Sequence, residues 1–160
     1  MLSFHNDPAI KAKYLDRVKA HAKADRLIQG TGWKGGKGCA VGCTLEAYDH
    51  SLYPIELGLP EWLARLEDRI FEGLPKAEAM QWPARFLAAI PVGVDVEPVQ
   101  WRLAIWRHTR QLEALADNRK PYAEEVCAAL RQVIDYCQGM LDKRWGHEAA
   151  REAESAESAA

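Results

Sequence analysis

Residues 61–74 read EWLARLEDRIFEGL, and their spacing decides the class of fold. Trp62, Leu63, Leu66, Ile70 and Leu74 recur every three or four positions, the period of a helix with one face turned to a core. On that helix Glu67 flanks the apolar stripe between Leu63 and Phe71, whereas Glu61, Asp68 and Glu72 point away. Glu67 is therefore the charge expected to be partly buried. Pro54 and Pro60 bracket the turn before it. Beyond it, Pro83 breaks the stretch 75–90 into two short helices around Trp82, with Phe86, Leu87 and Ile90 inward, and Pro91 and Gly93 end them. Two long helices follow. One covers about 98–116 with the seam Trp101, Ile105, Leu112 and Leu115; the other covers about 121–144 with the seam Val126, Leu130, Val133, Ile134, Cys137 and Leu141. Upstream, Asp7 as N-cap, Pro8 at the first helical position and Gly30 as a left-handed terminator predict a helix over 8–29. A glycine-rich loop and a shorter helix over 39–53 come next. No segment alternates as a strand does, so the pattern predicts an all-α protein, an irregular helical bundle of about six helices with a glycine-rich loop after helix 1.

A chain of 160 residues and 18.0 kDa can bury roughly 68–70% of its unfolded surface. It needs no disulfide staple, and its four cysteines are expected as thiols in a reducing cytoplasm. No apolar run approaches the ~20 residues that cross a bilayer, and the first fifteen residues, MLSFHNDPAIKAKYL, lack the apolar core and cleavage site of an export signal. With 21 basic and 23 acidic side chains the net charge is −2, which excludes a bulk positive field for gathering nucleic acid. Residues 146–160, GHEAAREAESAESAA, carry four glutamates and no large aliphatic side chain. They are read as a disordered acidic tail behind a single helical domain over 1–145.

Several polar groups fall where apolar ones belong. At 100° per residue, His21 and Asp25 lie in the same stripe as Ile10, Tyr14, Val18 and Ile28, four positions apart. A carboxylate there would fix the imidazole tautomer and raise its basicity, which suits acid–base work or metal ligation. The plainer reading is an ion pair at the rim of the core. If 39–50 is one helix, Cys39, Cys43, Glu46 and His50 form a single line of soft and hard ligands, with Val41, Leu45, Tyr48 and Leu52 opposite. The plainer reading makes the thiols small core residues, as for Cys127 and Cys137. His108, at the centre of the 98–116 seam, reads as a satisfied core histidine.

The loop GTGWKGGKG, residues 30–38, has five glycines in nine positions. With Lys34, Lys37 and Gly38 ahead of a helix start it reads either as an anion-binding loop or as a flexible connector. It is no P-loop: Thr31 stands where the first glycine is required, and Gly38 follows Lys37 where Ser or Thr is required. On the outer side of the 98–116 helix, Trp106 sits between Arg102 and Arg110, an arrangement for cation–π stacking or a phosphate-bearing partner.

The segment from about Phe4 to Ile90, above all GKGCAVGCTLEAYDHSLYPIELG and LARLEDRIFEGLP, resembles a family of uncharacterised proteins from bacteria and their phages. The resemblance covers a little over half of the chain, leaves out the last two helices, and implies a candidate site without a reaction. In that family a histidine stands at the position of Glu46, so this chain departs from the ligand line while keeping an oxygen donor there.

Two functional readings follow. In the first, the protein is a metal-assisted hydrolase of a phosphorylated or nucleotide-like small molecule. His21, Asp25 and Glu67 supply ligands or a base, Glu46 and His50 hold a divalent metal, Cys39 and Cys43 line the wall, and Lys34, Lys37 and Gly38 receive the anion. A variant uses Cys39 or Cys43 as nucleophile with His50 as base. In the second, the chain is a non-catalytic interaction or regulatory protein that meets a protein or nucleic-acid partner through an exposed helix face or the Trp106 cluster.

Overall fold

The computed structural model describes residues 1–116 and 120–142; the 146–160 segment read as a tail lies outside them. The chain is mostly α-helical, as the spacing predicts, with eight α-helices among the described residues. Its described residues divide into two compact units, one of Met1–Glu97 and one that begins at Pro98. Among the described residues no helix is long and apolar enough to cross a membrane.

The first unit holds α1 (Pro8–Lys23), a hairpin of β1 (Trp33–Lys34) and β2 (Lys37–Gly38), α2 (Ala40–Leu45), α3 (Leu52–Leu57), α4 (Glu61–Gly73), α5 (Lys76–Ala79) and α6 (Trp82–Ala89). α1 packs on α2 and α6, and α4 packs on α2, α3 and α6. Tyr14, Val18, Val41, Leu57, Phe71 and Leu87 fill the space between them. Every residue from Ala40 to Thr44 is buried, so α2 is a short rod enclosed by its neighbours. The break at Pro83 gives the two short helices expected, and Phe86, Leu87 and Ile90 point inward as read.

α1 begins as its sequence dictates: the Asp7 carboxylate accepts from the amide of Ala9 at 2.8 Å and Pro8 takes the first turn. Asp7→Ala is expected to cost about 1 kcal/mol in urea unfolding; an unchanged midpoint would show that the cap is idle. The helix stops at Lys23, six residues short of the expected end. Asp25 adopts a left-handed φ of 50°, and the chain straightens so that Gly38 N–H donates to Arg26 O (3.0 Å) and Ile28 N–H donates to Gly38 O (2.8 Å). Leu27, not Ile28, therefore turns into the core. The glycine-rich run, read as loop, closes as an antiparallel ladder pairing Trp33 with Gly38 and Lys34 with Lys37. Gly35 and Gly36 supply the two positive φ angles, 61° and 75°, of a tight hairpin turn. α2 likewise ends early, because Glu46 takes a φ of 57°.

Ahead of α1, Phe4, His5 and Asn6 form a left-handed turn. Ser3 is held against the far end of the same unit: its amide donates to Val94 O (2.9 Å), its carbonyl accepts from Gly93 N–H (3.0 Å) and its hydroxyl donates to Pro91 O (2.6 Å).

The second unit contains α7 (Val99–Leu115) and α8 (Ala123–Leu141), which pack on each other. Trp101, Ile105, Leu112 and Leu115 are half-buried along the seam, and Cys137 is buried. Val126 and Val133, assigned to the seam from spacing, are exposed instead. His108 is half-buried and hydrogen-bonds through Nδ1 to Gln111 Oε1 at 2.7 Å, while Trp106 lies on the exposed outer face with Arg102 and Arg110.

Candidate functional site

The early ends of α1 and α2 rearrange the expected pairs. His21 is buried on α1, but the turn after Lys23 carries Asp25 out to solvent, where it lines a separate cleft with Lys76. The partner of His21 is Glu46: Nε2 lies 3.2 Å from Oε1. The left-handed φ of Glu46 also breaks the single line of Cys39, Cys43, Glu46 and His50. The two cysteines stay on α2 and its N-cap, Glu46 turns to α1, and His50 turns to α4.

What assembles instead is a group from three segments. α4 places Asp68 and Glu72 one helical turn apart, facing the start of α2. Cys39 Sγ and one carboxylate oxygen from each of Asp68 and Glu72 lie within 4.8 Å of one another. Cys39 caps α2 by accepting from Gly42 N–H at 3.4 Å. After α2 the chain reverses and brings His50 Nε2 to 3.4 Å from Asp68 Oδ2. Asp68, read from sequence as solvent-facing, is buried, and its Oδ1 has no hydrogen-bond partner. The group opens on a cleft of about 490 Å³ lined by Tyr48, His50, Arg65, Asp68, Arg69 and Glu72. Tyr48 stacks edge-on to His50 at 5.1 Å, and Gly32 admits it, since a Cβ there would stand 2.5 Å from the Tyr48 ring.

Electrostatics at this group favour uncharged thiols. Burial, reinforced by Asp68, pushes the Cys39 thiol far above its ordinary range, against the opposing pull of the Gly42 amide. Burial also pushes Cys43 up to about 11, and its Sγ faces the carbonyls of Gly38 (3.4 Å) and Arg26 (3.5 Å), away from Asp68. A cysteine nucleophile requires a lowered pKa, so neither thiol suits that role in this environment. Burial followed by the neighbouring Asp68 charge raises the Tyr48 hydroxyl as well.

Glu67, next in the chain to Asp68, points the other way. It is fully buried rather than partly so, accepts the Tyr53 hydroxyl on Oε2, and leaves Oε1 without a partner. Burial lifts its pKa to about 8; the Tyr53 hydrogen bond opposes that shift and Asp68 adds to it. Glu67 is thus a neutral core acid over most of the physiological range, and it does not line the Asp68 cleft.

The glycine loop's amides are already engaged, that of Gly30 with Glu72 Oε2 at 2.7 Å and those at its far end with backbone carbonyls. Gly38 N–H goes to Arg26 O, and Cys39 N–H goes to Thr31 O (2.7 Å) and Gly32 O (3.0 Å), while Lys34 and Lys37 lie exposed on the hairpin. The amides of Gly38 and Cys39 are therefore not free to meet an anion. Gly38 and Gly42 are required for close approach, because a Cβ at either would stand 2.1 or 1.9 Å from Gly32 O.

Spacing alone did not single out Asp68 and Glu72. Their signal is the i, i+4 carboxylate pair on α4, which gains meaning only once α2 covers that side of the helix. Comparison with protein-family models, with curated proteins and with solved structures finds no match for this chain.

Proposed function

We propose that this protein is a metal-dependent hydrolase of a phosphorylated or nucleotide-like small molecule, with a divalent cation held by Cys39, Asp68 and Glu72 and with His50 at the rim. One observation carries the reading: Asp68 Oδ1 is buried and unpartnered beside a thiol and a second carboxylate. His50 faces Oδ2 of this carboxylate at 3.4 Å, but a buried Oδ1 still calls for a partner, which a dication would supply while drawing the thiol to thiolate. Mixed sulfur and oxygen donors suit zinc, and three protein ligands leave a position open for water. A cation held by these residues would lower the pKa of a bound water and polarise a phosphoryl oxygen. In this reading His50, beside Asp68, would accept the proton of the attacking water and return it to the leaving oxygen as the ester bond breaks. Arg65 and Arg69 on the cleft wall meet the anionic part of the substrate. Of the metal ligands expected from sequence, His50 stays with this group, whereas Glu46 lies at the other end of α2.

The test is the zinc content of protein loaded with excess zinc and then dialysed. One zinc per chain is expected for the natural sequence and for Cys43→Ser. Asp68→Asn should weaken binding by about a hundredfold or more, the loss of a charged ligand exceeding that of an outer-shell partner. A natural protein that retains no zinc, or an Asp68→Asn variant that keeps it, would overturn the reading. Loaded protein should also release phosphate from p-nitrophenyl phosphate, and Asp68→Asn should not.

A further inference from the structure

We propose that a second cleft, of about 300 Å³ between the C-terminal ends of α1 and α2, binds a phosphomonoester-type dianion, and that the Glu46 carboxylate is its built-in occupant. The walls are Arg17, Ala20, His21, Ala24, Arg26 and Glu46. Two guanidinium groups and an imidazole thus face a single carboxylate. His21 is buried, its Nδ1 has no partner, and its Nε2 reaches Glu46 Oε1 at 3.2 Å. The one polar contact of that ring is therefore made into the cleft.

Arg17 is fixed before any ligand arrives. Its Nη1 donates to Thr44 O at 3.0 Å and its guanidinium lies over the Tyr14 ring at 5.1 Å. Its Nη2 is 3.8 Å from Glu46 Oε2, close enough for charge attraction but too long for a hydrogen bond. Arg26 forms no ion pair among the described residues. Ala20 and Ala24, with their small side chains, complete the lining.

Glu46 fits this cleft poorly. It holds a left-handed φ of 57° without being glycine, a conformation that costs strain, and its side chain remains 49% exposed. Its two oxygens engage His21 and Arg17 and leave Arg26 unanswered. A phosphomonoester offers three terminal oxygens and two negative charges, which matches one imidazole and two guanidinium groups better than a single carboxylate does. Such a ligand displaces Glu46 toward solvent and takes its contacts. The site lies at the opposite end of α2 from Cys39 and does not depend on a cation.

The probe is inorganic phosphate, titrated at fixed pH and ionic strength with a chelator present and with acetate as control, following the ring nitrogen signals of His21 by NMR. A saturable shift with phosphate is expected. Glu46→Gln should tighten binding about tenfold by removing the competitor, and Arg26→Ala should weaken it about tenfold, the size of one charge-assisted hydrogen bond. Arg26 is exposed, so its loss leaves the core intact. The proposal is overturned if neither the natural protein nor Glu46→Gln gives a saturable shift, or if Arg26→Ala binds phosphate as well as the natural protein. Persistence of binding under chelation separates this cleft from any phosphate held through a metal at Cys39.

Discussion

Alanine at position 42 is expected to lower the stability of the first unit by about 3 kcal/mol. The added Cβ would stand 1.9 Å from Gly32 O and 3.0 Å from Gly32 C, both backbone atoms with no rotamer to escape through. Gly32 O already accepts Cys39 N–H at 3.0 Å, so moving it breaks the junction between the hairpin and α2. Moving α2 instead disturbs a helix whose residues from Ala40 to Thr44 are all buried. Gly139→Ala on α8 is the internal contrast. A Cβ there meets nothing within 4 Å, and the exchange should stabilise its helix by up to about 1 kcal/mol. Urea unfolding followed by circular dichroism reads both. Equal midpoints for the two variants would show that Gly42 is tolerated and that the close approach of Gly32 is not a constraint.

The second large effect concerns Glu67. Its folded pKa of about 8 lies above the 4.5 of a free glutamate, chiefly because burial disfavours the charged form. Between those values the native state holds a proton that the unfolded chain has released. The stability contributed by the neutral acid is therefore complete below about pH 4.5 and is lost as pH rises through about 8. Glu67→Gln keeps an oxygen for the Tyr53 hydroxyl and has no proton to lose. Relative to the natural protein, the variant should gain a few kcal/mol between pH 5 and pH 9, since each pKa unit is worth 1.36 kcal/mol. The absolute offset is set by the amide nitrogen, which finds no acceptor where Oε1 now has no partner. Only the difference between the two pH profiles, measured with a chelator present, is diagnostic. Parallel profiles would mean that Glu67 is ionised in the folded protein.

Local chemistry made much of the helical frame legible. The stripe through Leu63 and Phe71 placed α4, and Asp7 with Pro8 placed the start of α1, because both signals act within one or two turns. The errors cluster where a residue other than glycine adopts a left-handed backbone. Nothing in the composition around Asp25 or Glu46 marks them as helix ends, and each moved a candidate side chain to a new partner. The two-faced pattern read over 39–50 did not survive in α2, whose residues from Ala40 to Thr44 are all buried. The Gly35-Gly36 pair between Trp33-Lys34 and Lys37-Gly38 did carry a hairpin signal, masked by the density of glycines around it. The burial of Asp68 could not be read from α4 alone, since Cys39 and His50 reach it from segments far away in the chain.

The clasp between Ser3 and residues 91–94 ties the beginning of the first unit to its end. Neither terminus of that unit can peel away by itself, because releasing Ser3 also uncovers the carbonyls of Pro91 and Val94. Fraying, usually the cheapest route to partial opening, is thereby turned into a two-ended event. A protease cut at the tip of the hairpin would consequently leave two pieces still joined through that clasp and the packed core, so such a nick need not release either fragment.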